Sequence, residues 1–141
     1  MRFTASDFAD GSYGGAAGKA KTANAIIRFI ESGFARAKFT RQAYSGGLMY
    51  MFSHIAHYDI HGFFSTWFED DRNILEWLEY VARSPIYGDN DCTLAEVERV
   101  VQKYVRESGL IETYRQHVAD VQEAQERGQL AALKAKYEGS N

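Results

Sequence analysis

Residues 44–82 read YSGGLMYMFSHIAHYDIHGFFSTWFEDDRNILEWLEYVA, and the reading of this stretch decides the fold. It holds both tryptophans, three of the four histidines and about half of the aromatic residues. Burying one such ring stabilises a fold by roughly 1.5–3 kcal/mol, so the rest of the chain must be laid against this stretch. The spacing predicts two packed helices joined by an aromatic corner. Ser45 is a candidate N-cap, and a helix beginning near Leu48 puts Leu48, Met51, Phe52, Ile55 and Ala56 on one side. Tyr50, His54, His57 and His61 then gather within about 60° on the opposite side. Asp59 would intrude on the apolar side, which predicts an end near Tyr58. Phe63, Phe64, Trp67 and Phe68 make the corner, a short helical turn that plugs the core. Glu69, Asp70 and Asp71 suit the positive end of the next helix dipole. That helix runs to Arg83, with Ile74, Leu75, Trp77, Leu78, Val81 and Ala82 inward, and Ser84-Pro85 ends it.

Outward from this centre, residues 1–18 lack periodicity and are expected to form a flexible N-terminal arm, leaving residues 19–141 as a single helical domain. A first helix is expected from Ala20 to Ser32 on the stripe Ala23, Ile26, Ile27 and Ile30, with Gly33 as its stop. Residues 34–44 alternate apolar and basic, yet no partner strand is visible, so helix or extended linker is expected. Thr93-Leu94-Ala95-Glu96 has the form of a capping box and opens a fifth helix, buried through Val97, Val100, Val101, Tyr104 and Val105 and closed by Gly109. Ile111, Tyr114, Val118 and Val121 form a short heptad-like seam. The apolar register restarts at Leu130, Leu133 and Tyr137, so the last helix is long, polar and projecting. The fold class is therefore all-α: a compact bundle of about five or six helices with a long C-terminal helix. Phe52, Ile55, Trp67, Leu78, Val101 and Tyr104 are expected to be buried.

A chain of 141 residues with one cysteine, Cys92, forms no intramolecular disulfide, which fits a reducing compartment. The N-terminus MRFTASDF has no apolar run behind its charge, and no stretch approaches the roughly 18 apolar residues of a membrane span. A soluble, cytoplasmic protein with no membrane partner is expected. Residues 1–50 carry seven Lys/Arg and three Asp/Glu, whereas residues 51–141 carry nine and sixteen. This basic third and acidic remainder suggest either two solvated faces or self-association of opposite-signed ends.

Most chemical motifs fail on inspection. Gly14, Gly15, Gly18 and Lys19 resemble a phosphate loop, but Tyr13 and Ala20 stand where Gly and Ser/Thr are needed. Asp89, Asn90 and Asp91 lack the spacing of a calcium loop. His54, His57 and His61 span about 10 Å along one helix, too far for all three to reach a common ion; a pair could still bind metal with His117, Cys92 or Asp59. Nothing places a histidine beside Cys92 for nucleophilic catalysis. No catalytic residue, metal ligand or cofactor is therefore assigned. Lys19, Lys21, Arg28, Arg36, Lys38 and Arg41 form a modest basic footprint for nucleic acid, while the last helix is too acidic to serve as a recognition helix.

The run IAHYDIHGFFSTWFEDD, residues 55–71, within a compact helical chain resembles small accessory proteins of phages and plasmids, which include anti-CRISPR inhibitors. The likeness covers about twenty residues and the general build. It implies a protein that occupies a surface of a host protein or nucleoprotein complex, in the host cytoplasm, and it carries over no residue roles. The functional expectation is a non-catalytic binding protein, an inhibitor or regulator. Its candidate contact residues are Tyr50, His54, His57, His61, Arg36, Lys38 and Arg41. A nucleic-acid-binding regulator and a histidine-based metal enzyme are the alternatives, and a homodimer through the C-terminal helix is a further expectation.

Overall fold

The computed structural model describes residues 2–11, 14–52, 59–86 and 94–139. It is all-helical, with no strand among the described residues. Helix α1 spans Gly15–Glu31, and α2 is a single turn, Arg41–Ala43, that continues into a π-helical turn at Tyr44–Leu48. Helices α3 (Ile60–Trp67), α4 (Asp71–Arg83), α5 (Ala95–Glu107) and α6 (Leu110–Glu138) follow. Helix α5 joins two groups: α1 with the N-terminal segment and α2 on one side, α4 with α3 and α6 on the other.

The expected stripe of α1 is buried, but so are Lys19, Thr22, Asn24 and Phe29, because α1 is covered on several sides. Its C-terminus is a Schellman motif. Gly33, at φ 76, donates to Ile30 O (3.1 Å), and Phe34 donates to Phe29 O (3.2 Å). Phe34 itself adopts φ 61, a conformation bulky residues avoid. Its ring is buried and stacked on Phe68 at 5.4 Å, which offsets the strain.

The helix starts at Gly15, earlier than expected, and the segment read as a flexible arm is tied to the body. Asn24 clasps the Phe3 backbone, accepting from its N–H (3.0 Å) and donating to its carbonyl (2.9 Å). Phe8 is buried, and Ala9 is held by Lys19 and Glu96. These ties come from distant residues, so no local periodicity announces them.

The helix expected from Leu48 does not form over the described residues. Gly46-Gly47 read as a break, yet the chain passes through them in a wide turn closed by Met49 N–H to Tyr44 O (2.9 Å). A Cβ on Gly47 would lie 2.5 Å from Thr22 Cγ2, so glycine is what lets this turn press against α1. Phe52 then adopts φ 53 with its ring buried, and Glu98 of α5 accepts its backbone N–H. Residues 53–58, including His54, Ile55 and His57, lie outside the described residues.

The corner forms as expected. Asp59 caps α3 through Gly62 N–H (2.7 Å), and Phe63 and Phe64 are buried. Phe68 sits among Phe29, Phe34, Phe39, Phe63, Phe64 and Trp77, with centroids 4.9–6.0 Å away. Trp67 and Tyr104 are only half-buried at the edge of this core, while Leu78 and Val101 are fully buried. Asp70 caps α4 through Asn73 N–H (2.8 Å). The other end of α4 is closed by α5: Gln102 donates to the carbonyls of Val81 (3.1 Å) and Ser84 (2.8 Å), and Arg106 to that of Ala82 (2.7 Å).

The capping-box residue Glu96 makes a long-range tie. Its carboxylate accepts from Ala9 N–H and from the fully buried Lys19 ammonium (3.0 Å), joining the N-terminal segment, α1 and α5. Thr93, the expected cap, lies outside the described residues. Helix α6 packs on α4 through its first turns, with Tyr114 buried and Ile111 and Val118 half-buried. Beyond Val118 every described residue is exposed.

Candidate interaction surfaces

Two surfaces stand out, and the first carries candidate contact residues read from the sequence. The first lies where the 3-10 turn Arg36–Lys38 meets α3. The turn is set by the Schellman exit of α1, which aims residues 35–39 across the aromatic core. Arg36 extends over the Phe64 ring, 4.7 Å from its centroid. Its Nη2 lies 3.4 Å from His61 Nδ1, and its Nη1 lies 3.9 Å from Glu69 Oε1. The arginine side chain is about half-exposed (55%), so a solvated cation is held in a defined place by a ring, an imidazole and a carboxylate. Lys38 and Arg41 are exposed on the same connecting segment.

The structure thus brings Arg36 and His61 together, but it separates Tyr50 from His61. Tyr50 lies in the turn after Leu48, and His61 belongs to α3, so they share no helix face. Tyr50 lines a shallow groove of about 540 Å³ with Lys21, Thr22, Gln42, Ser45 and Gly46. Gln42 donates to Thr22 Oγ1 there (2.8 Å). The N-terminus of α1 beside this groove is already served by Asp10, which accepts from Ala16 N–H (3.2 Å). The basic footprint is smaller than the composition implies, because Lys19 is buried against Glu96. His117, a candidate remote metal ligand, lies 3.9 Å from Asp71 and edge-on to Tyr114. Among the described residues no three His, Cys, Asp or Glu side chains converge; His54, His57 and Cys92 are not among them.

The second surface is the free part of α6, residues 119–138, a rod of roughly 30 Å. Leu130, Leu133 and Tyr137 are 55%, 51% and 68% exposed. At 100° per residue they fall within about 60° of one another, with Lys134 and Lys136 to either side. Their stripe lies about 100° around the helix from the one that packs on α4. The register shift at Leu130 is the sequence signal for this face: apolar residues that leave the core-facing stripe have no core to meet. At the root of the rod, Glu69, Asp70, Asp71 and Arg72 form a groove of about 480 Å³ with Val118, Val121 and Gln125.

Burial raises the pKa of Glu98 above the usual carboxylate range, opposed by the Phe52 N–H it accepts and by Arg99. Burial likewise raises Tyr114, with Asp71 adding to the effect. No helix among the described residues is long and apolar enough to cross a membrane. No family model, curated protein or solved structure matches the chain.

Proposed function

We propose that this chain is a non-catalytic binding protein, an inhibitor or regulator that acts by occupying a surface of a host protein or nucleoprotein complex, as the resemblance to phage and plasmid accessory proteins implies. The observation that carries this reading is the exposed triad Leu130, Leu133 and Tyr137 on a helix that has left the core. Spacing of i, i+3 and i+7 on one face is the pattern with which a helix anchors itself in an apolar groove. Such residues contribute nothing to the fold where they stand, and their stabilisation comes only when a partner covers them. The flanking Lys134 and Lys136 favour a groove with an acidic rim. Arg36, held over Phe64 beside His61, supplies a second contact of a kind enriched at interface hot spots.

The test is capture from the native host by the tagged chain, followed by purification of the captured component and measurement of its affinity. Leu130→Glu with Leu133→Glu is expected to weaken binding at least tenfold, about 1.4 kcal/mol, and Arg36→Glu by a smaller factor. Circular dichroism of both variants should match the parent. Unchanged affinity in the double variant would reject the helix face as the contact. A salt-dependent gel shift with free DNA or RNA of comparable affinity would favour the nucleic-acid alternative.

A further inference from the structure

Charge is unevenly spread over the α1–α2 side of the molecule. Between Asp10 and Asp59 the chain has six Lys/Arg and one acid, Glu31. Glu31 is taken by Arg2 (3.1 Å), and Arg28 lines a hollow beside that pair. Lys19 is buried against Glu96, and Arg36 is engaged by His61 and Glu69. Lys21, Lys38 and Arg41 are left, exposed and in no ion pair among the described residues. They gather at the groove of about 540 Å³ between α1 and the turn at Tyr44–Leu48. Lys21 lines it. Arg41 stands four residues before Ser45, another lining residue, and side chains at that spacing share a helix face. Lys38 is three residues further back, in the 3-10 turn. Asp10, the acid next to this region in sequence, is occupied as the cap of α1 through Ala16 N–H. The groove itself suits a flat ligand. Tyr50 lines it and is 53% exposed, next to Met49 at 36%. Gly14, Ala17 and Gly18 give the α1 wall no side chain longer than a methyl. Gly46 keeps the opposite wall low, since a Cβ there would lie 2.7 Å from Gln42 Nε2.

We infer that this groove binds single-stranded nucleic acid, with a base stacked on Tyr50 and the neighbouring phosphates held by Lys21, Arg41 and Lys38. An exposed aromatic ring in a cationic groove holds single strands with little regard to sequence, because every base has a π-face and every nucleotide brings an anion. Gln42 gives its Nε2 to Thr22 Oγ1 (2.8 Å) and keeps its carbonyl oxygen as an acceptor for a base or sugar donor. The three cations have no carboxylate to displace, so the strand's phosphates are their first strong partners. A duplex keeps its bases stacked on one another and would use the cations without the ring. A run of acidic side chains would do the same. The groove lies on the α1–α2 side of α5, whereas the α6 rod belongs to the other side. This contact therefore adds to the one proposed for α6 and does not rest on it.

Fluorescence anisotropy of a labelled oligothymidylate of about twelve nucleotides, titrated with the full chain, tests this. A dissociation constant of about 10–100 micromolar is expected near 0.1 M salt. With three phosphates neutralised, the logarithm of the binding constant should fall against that of salt concentration with a slope of about −2, and Lys21→Gln should reduce that slope by about 0.7. Tyr50→Ala should weaken binding roughly fivefold or more with an unchanged circular dichroism spectrum, and Tyr50→Phe, which keeps the ring, should restore it. The assay contains no α6 partner, so its failure would leave the reading of α6 standing. No measurable binding at low salt, undiminished binding by Tyr50→Ala, equal affinity for a duplex of the same length, or equal competition by polyglutamate at the same charge would each overturn the inference.

Discussion

Removing Glu96 should unfasten the N-terminal half of the molecule. Its carboxylate accepts from Ala9 N–H through both oxygens, at 3.1 and 3.2 Å, and from Lys19 Nζ at 3.0 Å. Lys19 is 0% exposed, whereas the Glu96 side chain retains 16% exposure. That asymmetry sets the magnitudes. Glu96→Ala leaves a buried ammonium without this carboxylate and a backbone donor without its acceptor. Breaking a buried pair from this side costs about 3–5 kcal/mol. Lys19→Met leaves the carboxylate with Ala9 and partial contact with water, so about 1–3 kcal/mol is expected. Lys19→Met with Glu96→Gln removes both charges and keeps an acceptor for Ala9, so it should cost clearly less than the two single changes together. Urea denaturation followed by helical circular dichroism measures all three. A chain of this size should lose roughly 10 °C of melting temperature for a 3 kcal/mol change. The reasoning is refuted if Glu96→Ala costs under about 1 kcal/mol, or if the effects add with no coupling near 1 kcal/mol or more.

Phe68→Ala removes the ring on which six others converge and should cost about 3–5 kcal/mol in the same assay; a loss within a few tenths would mean the aromatic cluster closes without it. Leu78→Ala, at a fully buried site, should cost about 2–5 kcal/mol. Glu98 has a pKa raised by burial, so its protonated form adds stability that is fully present below the ordinary carboxylate range and is lost as pH rises through the raised value. Glu98→Gln should therefore gain melting temperature relative to the parent between about pH 4 and pH 7; a relative loss over that interval would reverse the sign of the argument.

Helices with a one-sided apolar stripe were legible in the sequence: α4 buries Ile74, Trp77, Leu78 and Val81 and α5 buries Val97, Val101 and Val105, with Leu75, Ala82, Val100 and Tyr104 half-buried at the stripe edges. The aromatic corner was legible too, because four rings within six residues have no stable place but the core. The turn at Gly46-Gly47 was not. Two glycines signal a break by propensity, whereas their function is close approach to Thr22 and Ile26 of α1, a fact of packing rather than local preference. The same error misassigned Tyr50, whose place on a histidine face required a helix that the Phe52 backbone does not continue. Glu96 fitted a local capping motif, yet it reaches a residue 87 positions away, a tie which no short window reveals. Arg36 and His61 were both singled out from the sequence, but their contact depends on the path of the chain after the Schellman turn.

The central claim is that the free part of α6 exists to bind and does not support the fold. Ending the chain after Ala119 removes the exposed rod while keeping Ile111, Tyr114 and Val118 on α4. Calorimetric melting and titration against the captured partner, run side by side on the full and shortened chains, test this directly. The account predicts melting temperatures within a few degrees and partner binding weakened at least tenfold. A shortened chain that binds the partner undiminished, or one that melts far below the parent, would contradict it.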